Sequence, residues 1–275
     1  MRKYVFLALL MALSVALGLV IMIGCGDDDD DDNDDSGDDD DDGGADSLRA
    51  HVVDFQNQNL ALQGVLVEAL DNVTGEPFDP AIQVTSPDDG WVTLSGFPEG
   101  VTQVAIRCSR DDYMDTVQYN FDVGATEEEF LVVAHDTRDI VVGTLGVTLD
   151  TTKALGAGGV YWGNPLDENP VGCAEVTADP PVDEVFYFNL SLLPTRDREI
   201  TTPGSPANGQ GINPENGYFV ALNMDLGEAT FTATSGDASE SVTCPRLFAN
   251  TVVITNIYFP FDDYDDNPQL SWCTE

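Results

Sequence analysis

Apolar residues in this chain follow two patterns. From Tyr4 to Gly24 they form one uncharged run, and beyond residue 47 they alternate with polar residues. In "VQYNFDV", Val117, Tyr119, Phe121 and Val123 fall on one face and Gln118, Asn120 and Asp122 on the other, which predicts a half-buried antiparallel strand. In "VTQVAIRC" the same alternation turns Val104, Ile106 and Cys108 inward. Clusters of Gly, Pro, Asn and Asp interrupt such runs about every eight to twelve residues, and no long 3.6-residue pattern is evident. The expectation is an all-β body built as sandwiches.

Within that body a grammar recurs. Residues 48–136 place Gly64 before Val65, Leu66 and Val67, then Asp89-Gly90-Trp91, then Leu94, then Phe97-Pro98-Glu99-Gly100 before another strand. Asp89-Gly90 reads as a tight hairpin turn needing positive φ, with Trp91 returning to the core. This order of residues resembles the carboxypeptidase regulatory-like family, a small transthyretin-like β-sandwich frequently attached to bacterial envelope proteins. The resemblance covers about a third of the chain. The peptidase that accompanies the family elsewhere has no counterpart here, so no activity is carried over.

At an offset of 127, "DGWVTLSGFPEGVTQVAI" aligns with "NGYFVALNMDLGEATFTA" without a gap, pairing Gly90 with Gly217, Trp91 with Tyr218, Gly100 with Gly227, Val104 with Phe231 and Ile106 with Ala233. Upstream, "GVLVEAL" and "GCAEVTA" align at an offset of 108. The chain therefore reads as two tandem transthyretin-like or immunoglobulin-like sandwiches, 48–136 and 137–275. A long polar loop, 194–216, carries Arg196 and Arg198 as a candidate binding loop.

The N-terminal run has the layout of an export signal, with Arg2 and Lys3 ahead of the apolar segment. Met22-Ile23-Gly24-Cys25 resembles a bacterial lipobox, which implies a signal peptide over 1–24 and a lipid, palmitate among its chains, on Cys25. The competing reading keeps the run uncleaved as a single-pass anchor, since it is long enough to span a bilayer as a helix. Both place everything after Cys25 outside the cytoplasm. Gly26, rather than an aspartate, follows the cysteine, which favours outer-membrane delivery with a periplasmic or cell-surface face.

Charge changes the picture further. Thirteen aspartates fill sixteen positions from Asp27 to Asp42, so residues 25–47 are expected to be a disordered, self-repelling tether. An unbroken aspartate run lacks the spaced ligands and turn glycine of a calcium loop, which leaves weak, diffuse divalent-cation association. The whole chain holds 50 acids against 10 bases, for a formal charge of −40. Such a body repels nucleic acid and anionic lipid surfaces.

Candidate chemistry is sparse. Four cysteines follow Cys25, and four allow three pairings; a Cys173–Cys244 bridge closing the second sandwich and a Cys108–Cys273 bridge tying down the C-terminal tail suit an exported protein. His51 and His135, the two histidines, read as structural residues on strands, outside any zinc spacing. No serine elbow, phosphate loop or dinucleotide fingerprint occurs, and no metal, cofactor or catalytic residue is expected. The "FDDYDDNP" cluster at 261–268 reads as a solvated strand exit. The sequence thus points to a non-catalytic, lipid-anchored envelope protein that displays binding or structural modules to an envelope protein or a glycan. Trp162 in "VYWGNP" supports a carbohydrate-binding alternative if exposed, and an uncharacterised envelope hydrolase is the remote one.

Overall fold

A computed structural model describes residues 47–163, 169–171, 174–188, 193–195, 217–235 and 238–260. All of them lie in one compact unit, Asp41–Glu275. The fold is all-β with a single helix among the described residues.

The first repeat contains β1 (Ser47–Asp54), β2 (Leu66–Asp71), β3 (Gln83–Thr85), β4 (Trp91–Ser95), β5 (Gln103–Ser109), β6 (Asp115–Asp122) and β7 (Glu128–Val132). Its two layers are β4-β1-β7 and β3-β2-β5-β6. Alternation supplies the core: Leu48, Ala50 and Val52 of β1, with Val92, Leu94 and Phe130, face Val67, Ala69, Val104, Ile106 and Cys108 of the other layer. Gly90 makes its turn at φ 75°, where a Cβ would crowd the Val52 carbonyl. Trp91, however, does not return to the core. Its strand neighbours Val92 and Leu94 point inward, so Trp91 faces out and is half-buried.

The second repeat contains β8 (Ala154–Trp162), β9 (Asn169–Pro170), β10 (Glu175–Asp179), β11 (Val185–Phe188), β12 (Pro194–Thr195), β13 (Tyr218–Met224), β14 (Gly227–Ser235), β15 (Ala238–Leu247), β16 (Thr251–Ile254) and β17 (Ile257–Phe259). Its strand pairing repeats the first. β1 is antiparallel to β4 and parallel to β7, while β8 is antiparallel to β13 and parallel to β16 and β17. Likewise β2-β5-β6 and β10-β14-β15 are antiparallel triplets. The aligned Gly100 and Gly227 both take positive φ, at 87° and 105°. Upstream, the pairing moves the alignment by one residue. Ala69 opposite Ile106 corresponds to Val176 opposite Ala233, so Val176 stands where Ala69 stands rather than where Glu68 does.

The repeats share a sheet. β16 is parallel to β8 on one side and to β6 of the first repeat on the other, giving the continuous order β12-β11-β13-β8-β16-β6-β5-β2-β3. Leu70, Ala105, Val117 and Tyr119 accordingly pack into the same core as Trp162, Phe219, Phe231 and Phe259. A bulge makes this possible. Asn120 sits at φ 69°, exchanges hydrogen bonds with Asn72, and inserts one residue against β5. Val117 and Tyr119 therefore face the second repeat, whereas Phe121 faces the core of the first, and the single face expected for "VQYNFDV" is split.

The helix α1 (His135–Leu145) follows β7 and also departs from expectation. It ends at Gly146, whose φ of 66° closes the last turn through a bond to the Val142 carbonyl. Its buried residues are only Thr137 and Leu145, and Ile140, Val141 and Val142 are poor helix formers. Leu145 packs with Met114, Leu155, Val220 and Val252 on the opposite side of the shared sheet.

Candidate functional site

The chain is poor in cations, and the six in the described residues all have partners. Arg107 pairs with Glu68, Arg110 with Asp112, Arg138 with Asp139, Lys153 with Asp225, and Arg246 with Glu76. Arg49 lies 4.1 Å over the Trp91 ring and donates to the Thr126 carbonyl. Two of the six lock the repeats together. Arg246 of β15 reaches Glu76 beside β2, and both Arg246 and Arg107 lie over the Phe248 ring. Tyr119 completes this joint by donating to the Arg246 carbonyl at 2.6 Å.

An open cleft of about 600 Å³ is lined by Arg110, Asp111, Tyr113, Asp115 and His135 of the first repeat and by Asn250. Its side chains hold one another in place. Arg110 donates to both Asp112 oxygens and to the Gln63 carbonyl, and lies 4.4 Å over the Tyr113 ring. Asp112 holds the guanidinium proton more tightly than usual, and Arg110 in turn lowers the Asp112 carboxyl. Tyr113 donates to Asp54 Oδ2 at 2.9 Å, while Asp54 Oδ1 accepts from the amides of Gln56 and Asn57. Asp111 and Asp115 give the cleft an acidic rim suited to a cationic or polyhydroxylated group.

Burial, and then the bond to Asp54, push the Tyr113 phenol up to about 12. An ordinary tyrosine titrates near 10, so the folded state holds this proton more tightly than the unfolded chain. The stabilisation is complete below pH of about 10 and is lost as pH rises from there toward the folded value. Burial raises the Tyr119 phenol as well, so ultraviolet titration should show Tyr113 and Tyr119 ionising late, and Tyr113→Phe should remove one of the two. That variant should cost about 1.5–3 kcal/mol, the range for a hydrogen bond to a charged group; chemical denaturation measures it.

The two histidines do not meet. His51 stacks on Trp91 with 5.0 Å between centroids and donates from Nε2 to the Asp89 carbonyl. His135 opens α1 rather than lying on a strand, and its Nδ1 is 3.1 Å from Met114 Sδ. Trp162, expected as an exposed sugar platform, is fully buried against Phe259. Arg49, Trp91 and His51 form an aromatic and cationic patch on the outer face of β4-β1-β7, and no motif in the sequence marks it. Alternation alone, applied to β1 and β4 together, would have found it.

The expected disulfides are not formed at the positions described. Cys108 and Cys244 are free thiols, each enclosed in a packed core as a small apolar side chain. The Cys108–Cys273 and Cys173–Cys244 pairings are corrected accordingly. Burial raises both thiols, Cys244 to about 12. Both should resist an aqueous alkylating reagent in the native protein and react once it is unfolded; fast native labelling at either would contradict their enclosure. Cys25, Cys173, Cys273, Arg196, Arg198 and the 261–268 cluster lie outside the described residues.

No family model matches the chain, and no curated protein matches it. Among solved structures it is similar to the Bacillus anthracis TIE protein, at 11% identity over 78% of this chain and 34% of that one, with a TM-score of 0.24. It is also similar to a streptococcal ancillary pilin, at 11% identity over 77% of this chain and 62% of that one, with a TM-score of 0.21. For the shaft pilin of Lactobacillus rhamnosus GG the values are 10% identity, 78% and 97% coverage, and a TM-score of 0.22. The chain thus spans about a third of the first and less than two thirds of the second.

Proposed function

We propose that this chain is an exported, non-catalytic envelope protein, lipid-anchored at Cys25, whose acidic stretch sets a rigid two-repeat β-body off the membrane surface. The observation that carries this reading is the shared sheet. A body whose final strand is hydrogen bonded to both repeats cannot hinge between them without breaking a ladder, and fixed spacing is what a spacer or display platform needs. The lipobox-like Met22-Ile23-Gly24-Cys25 supplies the anchor, and Gly26 favours delivery to the outer membrane. Its partner is another envelope protein. A glycan partner is the second reading; it is favoured by the patch of Arg49, Trp91 and His51, and a glycan array distinguishes the two.

Anchoring is tested at Cys25. The Cys25→Ala protein should remain unprocessed and should not take up a fatty-acid probe, whereas wild type should be cleaved before Cys25 and should take up the probe. Membrane-bound wild type that carries no acyl label and keeps residues 1–24 would replace the lipid anchor with a single-pass helix.

A further inference from the structure

We propose that the parallel strand pairs β1–β7 and β8–β16–β17 form a mechanical clamp that resists tension applied between the two ends of the chain. In each repeat the first strand is hydrogen bonded in parallel to the last. β1 and β7 share five Cα pairs, from Ala50 opposite Glu128 to Asp54 opposite Val132. In the second repeat, β8 pairs with β16 through Leu155, Gly156 and Ala157, and with β17 through Val160, Tyr161 and Trp162, all in one register.

The direction of these ladders decides how they fail. In a parallel pair, the start of one strand and the end of the other lie at opposite ends of the ladder. Tension entering at the first strand and leaving at the last then runs along the strands and loads every rung together. An antiparallel pair pulled from adjacent ends opens one rung at a time.

The last strand carries a second restraint. β16 is parallel to β6 from Thr251 opposite Asp115 to Ile254 opposite Gln118, so sliding it out breaks ladders on both edges. Val253, at its centre, is fully buried in the core that both repeats share. Arg246 with Glu76, and Tyr119 with the Arg246 carbonyl, tie β15 to the first repeat just before β16 begins. Tension on one repeat is therefore passed to the other through side chains and sheet as well as along the chain.

The clamp deepens the spacer reading and rests on it only for the source of tension. Its test is single-molecule pulling on the full chain in two geometries. One attaches handles at the two chain ends. The other attaches them at the N-terminus and at Glu99, which is exposed in the turn after β4. Ser47 faces Ser95 in antiparallel register, so the second geometry peels β1 from β4 starting at adjacent ends. At equal loading rate, end-to-end pulling should need several times the force of the Glu99 geometry, since forced unfolding follows the barrier along the pulled coordinate. Equal or lower force end-to-end would overturn the clamp. Loss of acyl labelling at Cys25 would overturn the anchor and leave this force ratio unchanged.

Discussion

Gly158→Ala is expected to destabilise the protein by at least about 3 kcal/mol, the upper range for overpacking a filled site. Gly158 lies in β8 where the last strand breaks between β16 and β17. There the Thr255 amide donates to the Ala157 carbonyl and Asn256 accepts from the Gly159 amide. A Cβ on Gly158 would fall 1.6 Å from the Thr255 carbonyl oxygen, and backbone held by bonds on both sides cannot yield as a side-chain end would. The substitution should therefore separate the last strand from β8. Gly143→Ala in α1 is the control, because nothing lies within 4 Å of its Cβ position. It should stabilise by about 0.5–1 kcal/mol through helix propensity. Urea denaturation of both variants checks the pair, and a Gly158→Ala protein as stable as wild type would mean that the close approach at Thr255 does not exist.

Phe231→Ala should cost about 3–5 kcal/mol and should lower the stability of both repeats together. Phe231 is fully buried on β14, lies 5.7 Å from Phe219 between ring centroids, and fills the space left by Gly156 on β8. Its core also takes in Leu70, Ala105, Val117 and Tyr119 from the first repeat. Two independent sandwiches would lose only the second. A shared core and a shared sheet should instead give one calorimetric transition, shifted downward as a whole in the variant. A first-repeat transition left at its wild-type temperature would show that the joint contributes little to cooperativity.

The free thiols and the buried Trp162 show where inference from residue type went astray. Four cysteines after Cys25 suggest bridges in a chain that reads as exported, but pairing depends on which strands are brought together. Cys108 and Cys244 each point into a filled core. Trp162 lies beside Gly163 and Asn164, residues that suggest an exposed turn, yet parallel pairing with β17 covers its ring with Phe259. Neither outcome has a local signature.

Sequence by itself determined the fold class, the inward set Val104-Ile106-Cys108, the glycine turns, and the recurrence of one strand order, but it put Trp91 on the wrong face of β4. Each follows from a local rule: side chains alternate along a strand, and only glycine readily takes positive φ at a tight turn. The helix α1 escaped because β-branched residues and a narrow buried face give it little periodic signal. The union of the repeats was decided only in three dimensions. Whether Val117 and Tyr119 face their own core or a neighbour's depends on one extra residue at Asn120, and whether β16 closes one sheet or two depends on which edges lie within hydrogen-bonding reach. Those are long-range choices, and the cleft and the Arg246 joint exist only once they are made.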